Sequence, residues 1–175
     1  MATERDNAYA QAIVAVAAAE GALSTVQDEF FAVARAVTDS DELASTLSDQ
    51  QAPVARRQQV VEDLLGGNAH PATVALVSMI VGAGRGRDLP AIAESVVALG
   101  ASQAGKQVAI VKSAIELSDD QKTRLAAALQ QSVGSPVDVR VVIDPSVLGG
   151  LVAQVGDTVI DGSVRRRLDQ LKQAI

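Results

Sequence analysis

Twenty-five positions near the end of the chain, DPSVLGGLVAQVGDTVIDGSVRRRL (residues 144–168), restrict the fold more than any other stretch. They hold an Asp-Pro, a Gly-Gly, a Gly-Asp and an Asp-Gly, separated by short runs rich in Val, Leu and Ile. Glycine supplies positive φ without a steric cost, and Asp bonds its own backbone, so each dipeptide punctuates the chain with a turn. Leu151 to Val155 and Thr158 to Ile160, joined across Gly156-Asp157, read as a hairpin of two short strands. Ser163 is placed to cap a last helix over residues 164–174, with Leu168, Leu171 and Ile175 facing inward.

Upstream the hydrophobic period is helical. Tyr9, Ile13 and Val16 share one stripe beside Ala10, Val14 and Ala17, and Gly21 ends that helix. Leu23, Val26, Phe30, Val33 and Val37 mark a second helix over 23–37, and Asp39 or Ser40 caps a third through Leu47. Pro53, Pro71 and Pro90 each stand where a first-turn proline is tolerated and open three more. The fifth carries Val74, Val77 and Val81 along one side and ends at Gly82. Short loops between six such helices predict a six-helix bundle over residues 1–104. The period then changes. Residues 107–113 run apolar or alternate like a strand, Ser118 and Gln121 have capping-box spacing before a helix with Leu125, Leu129 and Val133, and residues 137–144 alternate again. The expectation is a mainly α protein, with residues 105–175 forming a small α+β domain behind the bundle.

Composition narrows the function. The apolar fraction is 48 %, mostly Ala and Val, and Tyr9, Phe30 and Phe31 are the only aromatics. There is no cysteine, which excludes thiolate and disulfide chemistry. Residues 1–104 contain 6 Arg, no Lys and 13 acidic residues, which argues against nucleic acid as a partner and fits a basic peptide. The opening ATERDNAYAQ is not a secretory signal. No apolar run approaches the ~20 residues of a membrane span, so the chain is expected to be soluble and to reach a membrane only through a partner.

No constellation for catalysis emerges. Gly82-Ala-Gly-Arg-Gly-Arg87 follows a helical segment rather than a strand and has Arg where a third Gly belongs, so it reads as a helix end and turn instead of a phosphate loop. His70 is the single histidine and precedes Pro71, too little for a zinc site or a Ser-His-Asp triad. Asp144, Asp157 and Asp161 lack the spacing of a calcium loop, and each sits in a turn signal. Gly149-Gly150 calls for positive φ or a close backbone approach. Arg165, Arg166 and Arg167 crowd the first turn of the last helix against its dipole, a local cost that suits an acidic partner or a solvated face. No cofactor or metal is expected.

The residues Asp144, Pro145, Gly149, Gly150, Gly156, Asp157, Asp161, Ser163, Leu168 and Leu171 fill the pattern Asp-Pro, Gly-Gly, Gly-Asp, Asp-x-Ser and Leu-x-x-Leu. In this the tail resembles the delta-subunit family of F-type rotary ATP synthases, whose mitochondrial counterpart is the oligomycin-sensitivity-conferring protein. Ala8-Tyr9-Ala10-Gln11-Ala12-Ile13 is similar to the family's opening, and Gly84-Arg85 with Leu89, Pro90 and Ile92 to its stretch before the sixth helix. The additional Gly86 and Arg87 depart from it.

The resemblance implies a non-catalytic stator connector, present once per complex on the cytoplasmic face of a bacterial membrane. Its helical part would bind the N-termini of the alpha subunits and its α+β part the b subunit of the peripheral stalk. The Tyr9, Ile13, Val16 and Val74, Val77, Val81 stripes are the expected groove, and the tail residues, Arg166 among them, the second contact. A helical adaptor with other partners and a phosphate-binding enzyme built on Gly82 to Arg87 are the alternatives.

Overall fold

A computed structural model describes residues 3–147 and 149–162. The chain divides into two compact units, Met1–Gly100 and Ala101–Ile175. It is mainly helical with one small sheet.

The helices of the first unit are α1 (Glu4–Ala19), α2 (Leu23–Asp39), α3 (Asp41–Ser48), α4 (Val54–Leu65), α5 (Pro71–Gly82) and most of α6 (Leu89–Gln103), which follows a 3-10 turn over Gly86–Asp88. Their ends obey local chemistry. Thr3 and Asp6 form a capping box at the start of α1, and Ser40, at the end of α2, accepts from the Leu43 amide to open α3. Because Ser40 caps, α2 runs on to Asp39, two residues past the expected end. Pro53 stands at the cap position, one residue before the first turn, and Pro90 is the second residue of α6. His70 caps α5 through its ring: Nδ1 accepts from the Ala72 amide at 3.2 Å.

One core runs through this unit. Phe30, Ile13, Ile80, Leu89, Ile92 and Val26 are fully buried in it, each stabilising the fold by roughly 1.5–3 kcal/mol relative to exposure. Buried polar groups tie helices together. Gln27 donates to the Val96 carbonyl at 3.2 Å, and Arg57, 5 % exposed, donates from Nη1 to the Val81 carbonyl at 2.9 Å. The Arg57 cation thus meets the negative end of the α5 dipole.

The second unit is built on β1 (Gln107–Ser113), α7 (Asp119–Val133), β2 (Val137–Ile143), β3 (Leu151–Val155) and β4 (Thr158–Asp161). The strand order is β2-β1-β3-β4, with β1 and β2 parallel and the other pairs antiparallel. Ser118 and Gln121 close the capping box of α7, and Gly134 at φ 74° ends it. Leu125, Leu129 and Val133 of α7 pack on Ala109, Val111, Val137, Ala153 and Val155. Gly156, at φ 55°, is the only positive-φ residue of the two-residue β3–β4 loop, the arrangement of a type II′ hairpin. Asp161 is the last residue of β4, opposite Val152, rather than a turn residue; the ladder continues past it, since the Gly162 amide donates to the Leu151 carbonyl at 2.9 Å.

Candidate functional site

The two expected helical stripes face partly inward. Ile13, Val77 and Val81 are buried in the first core, Tyr9 is half-buried against it, Val74 is half-buried, and Val16 is 43 % exposed. Helices α1 and α5 pack against one another. Beside Val16, their solvent faces are made by residues outside the stripes: Ala8, Ala12, Ala15 and Ala19 on α1, and Pro71, Ala75 and Met79 on α5, with Met79 46 % exposed. The chain carries no Asp, Glu, Lys or Arg from Asn7 to Ala19 or from Leu64 to Gly84. From Asn7 onward α1, and α5 throughout, therefore show water a surface without charged side chains.

A polar clasp closes one end of this pair. The Asp6 side chain, 5 % exposed, accepts from the Thr3 amide and hydroxyl at 2.7 Å each and from Arg85 Nη2 at 2.8 Å. Arg85 also holds Asp88 at 2.8 Å, and its guanidinium carbon lies 4.9 Å from the centre of the Tyr9 ring. Burial pushes the Asp6 carboxyl up, but the Thr3 donors and the Arg85 cation outweigh it and hold the group below the ordinary carboxylate range. Thr3, Asp6 and Asp88 escaped the sequence reading. The signal for Asp6 was its place three residues after Thr3, a capping-box spacing; the pairing with a residue 79 positions away had none.

The loop from Gly82 to Arg87 is a helix end and turn. Gly84 takes φ 76°, and a Cβ on Gly86 would lie 2.5 Å from the Leu47 carbonyl oxygen, so close approach to α3 requires glycine there. No three His, Asp or Glu side chains gather among the described residues in a way that could hold a metal ion.

The tail signature is distributed over both ends of the sheet. Asp144 accepts from the Ser146 amide at 3.0 Å and its hydroxyl at 2.6 Å, and lies 3.7 Å from Lys112. The Ser146 donors, then Lys112, hold the Asp144 carboxyl below its ordinary range. Gly149 and Gly150 follow at φ 81° and 80°. Pro145, Gly149 and Gly150 belong to the segment that carries the chain from β2 past the end of β1 into β3; Gly156 lies at the opposite end. Ser163, Arg166, Leu168 and Leu171 lie outside the described residues.

Residues 6–175 match the family described as ATP synthase delta (OSCP) subunit. The chain belongs to that family. Among curated relatives, ATP synthase subunit delta of Nocardia farcinica is 39 % identical over 165 residues, 94 % of this chain and 61 % of the relative. The Streptomyces lividans subunit is 42 % identical over 149 residues, 85 % of this chain and 55 % of the relative. The delta-family chain described above therefore spans little more than half the length of these relatives. A chain in the mitochondrial ATP synthase hexamer of Toxoplasma gondii has the same fold, with a TM-score of 0.59 at 23 % identity over 98 % of this chain and 97 % of that one.

Proposed function

We propose that this chain is a non-catalytic connector in the stator of an F-type ATP synthase, joining the catalytic head to the peripheral stalk so that proton flow drives ATP synthesis. In this reading the first unit acts as a six-helix bundle that receives alpha-subunit N-termini, the second binds the b subunit, and one copy serves each complex. The chain is then held at the cytoplasmic face of the membrane by its partners. No helix among the described residues is long and apolar enough to cross a membrane itself.

The observation that carries the reading is the pair of charge-free stretches, α1 from Asn7 to Ala19 and the whole of α5. A helix apolar on every side belongs in an interior, yet Pro71, Ala75 and Met79 of α5 face water. An amphipathic partner helix laid along this pair would bury them and Val16, anchoring at i, i+3, i+4 and i+7. Because the receiving side chains are small, the partner must supply the bulk. Tyr9 and Val74, half-buried at the edges, complete the contact, whereas Ile13, Val77 and Val81 support it from beneath.

Titration calorimetry against a peptide of the alpha subunit's N-terminal residues, about 20 long, tests this. Saturable one-to-one binding with a negative heat-capacity change is expected, and weakening by Met79→Asp at an unchanged melting temperature. Absence of binding by the folded chain would overturn the assignment of this face.

A further inference from the structure

Arg57 is a buried cation with no carboxylate partner among the described residues. Its one hydrogen bond runs from Nη1 to the Val81 carbonyl, and its Nε is buried without a partner. A guanidinium carries five N–H donors, so most of this one goes unused. The end of the α5 dipole supplies only about half an elementary charge. A buried charge is costly until an opposite charge and hydrogen bonds compensate it.

Gly84 connects this side chain to a polar cleft. Ser45, Ser48, Asp49, Gln50 and Arg87 line that cleft together with Gly84 itself. A Cβ on Gly84 would meet, apart from its chain neighbours, two atoms within 4 Å: Gln50 Nε2 at 3.8 Å and Arg57 Nη1 at 3.9 Å. The space left by the missing side chain is thus bordered by two side-chain nitrogens. The Gln50 amide, like Arg57 Nε, has no partner among the described residues.

Arg87 brings a second uncompensated cation. It is exposed and unpaired among the described residues, whereas Arg85 is held by Asp6 and Asp88. Gly86, pressed against Leu47, sets Arg87 beside the end of α3. Residues 1–104 hold only six arginines against 13 acids, yet Arg57, Arg85 and Arg87 gather at or just beneath this one cleft. Of the acids lining it, Asp88 is paired with Arg85, and Asp49 accepts from the Gln51 amide at 2.8 Å.

We propose that the cleft is a binding site for inorganic phosphate, held by Arg57 and Gln50 beside Gly84 and by Arg87 from the α3 side. Hydrogen bonds between guanidinium and phosphate are charge-assisted, roughly twice as strong as neutral ones. The donors are side chains from three segments rather than a loop backbone, so the site needs none of the glycine spacing that residues 82–87 lack. The lining offers hydroxyls, amides and guanidinium groups, and no aromatic ring to receive a nucleotide base. The site uses none of the water-facing residues of α1 and α5 and stands independently of the connector reading.

The test uses the full chain in potassium phosphate and in potassium chloride at matched ionic strength. Phosphate should raise Tm saturably, with half-saturation at about 1 mM or below by calorimetry. Arg87→Ala and Gln50→Ala, both at exposed side chains, should each weaken binding by about tenfold and leave Tm in chloride unchanged. Arg57→Met removes the cation and keeps the volume filled, so Tm should no longer respond to phosphate. If Arg57 served only to hold α5, the phosphate response would survive in that variant. No phosphate-specific rise in the wild type, or full affinity in both Arg87→Ala and Gln50→Ala, would overturn the site even if Arg57→Met failed to fold. ADP binding more tightly than phosphate would overturn the free ion as its ligand.

Discussion

The two units distribute charge differently. In the first, long stretches of α1 and α5 have none, and, beside the local pairs Arg35–Asp39 and Arg85–Asp88, one buried carboxylate, Asp6 held by Arg85, ties the start of α1 to the residues after α5. In the second, the described pairs are Asp138 with Arg140, Lys112 with Asp144, and two exposed pairs on α7. The difference teaches where specificity resides. In the first unit, a core of mostly aliphatic side chains sets the shape, a few buried polar groups set how helices meet, and long stretches of surface carry no charge. In the second, the strand ladder and turn backbone fix the described structure. The first should therefore break at its buried polar ties and close approaches, the second at its turns.

The largest effect is expected from Arg85→Ala. It leaves the Asp6 carboxylate buried without its cation and should cost about 3 kcal/mol at neutral pH, measured by denaturant unfolding. Acid provides the sign. The folded Asp6 pKa is depressed, so its stabilisation is present above the ordinary carboxylate value and is lost as pH falls through the folded value. Between neutral pH and about 3, wild type should lose more stability than Asp6→Asn, which has no carboxyl to titrate. Parallel acid profiles for the two would show that the clasp contributes nothing.

Next comes Gly86→Ala. Its Cβ would stand 2.5 Å from the Leu47 oxygen and 2.7 Å from the Leu47 carbonyl carbon, both backbone atoms that cannot rotate aside. Overpacking of this kind should destabilise the first unit by about 2 kcal/mol. The matching break in the second unit is Gly150→Val at φ 80°, where strain should cost about 1–2 kcal/mol. Exchange of the β1 and β3 amides should rise, while amides of α2 and α5 keep their protection. Loss of protection in both units together would mean that they do not unfold separately, and the contrast drawn above would fail.

How much of this was legible depended on distance along the chain. Caps and turns are local: the capping box of Ser118 and Gln121, the end of α5 at Gly82, the hairpin across Gly156 and the strand over residues 107–113 all follow from neighbours within four positions. The family pattern was legible for the same reason, being largely a string of turns. What joins remote segments was not. Neither the Arg85–Asp6 pair, nor Gln27 reaching Val96, nor the placing of β1 between β2 and β3 leaves a trace in spacing. The helical stripes show the corresponding limit. Periodicity identifies an apolar face without telling core from docking surface, so Ile13, Val77 and Val81 fell together with Val16, although the first three are buried. The better signal for the outer face was the absence of charge on the residues between the stripes.

The smallest effect sharpens the comparison from the other side. Lys122→Ala and Arg124→Ala, singly or together, remove the partners of Asp119 and Asp120 on the outer face of α7. Asp119 is fully exposed and the Arg124–Asp120 side chains are 74 % and 76 % exposed, so water already solvates these charges and neither pair should move the unfolding free energy measurably. The melting temperature of the double variant should stay within a degree or two of wild type. A larger loss would mean that exposed pairs hold the second unit as the buried pair holds the first, and the contrast between the two units would fail.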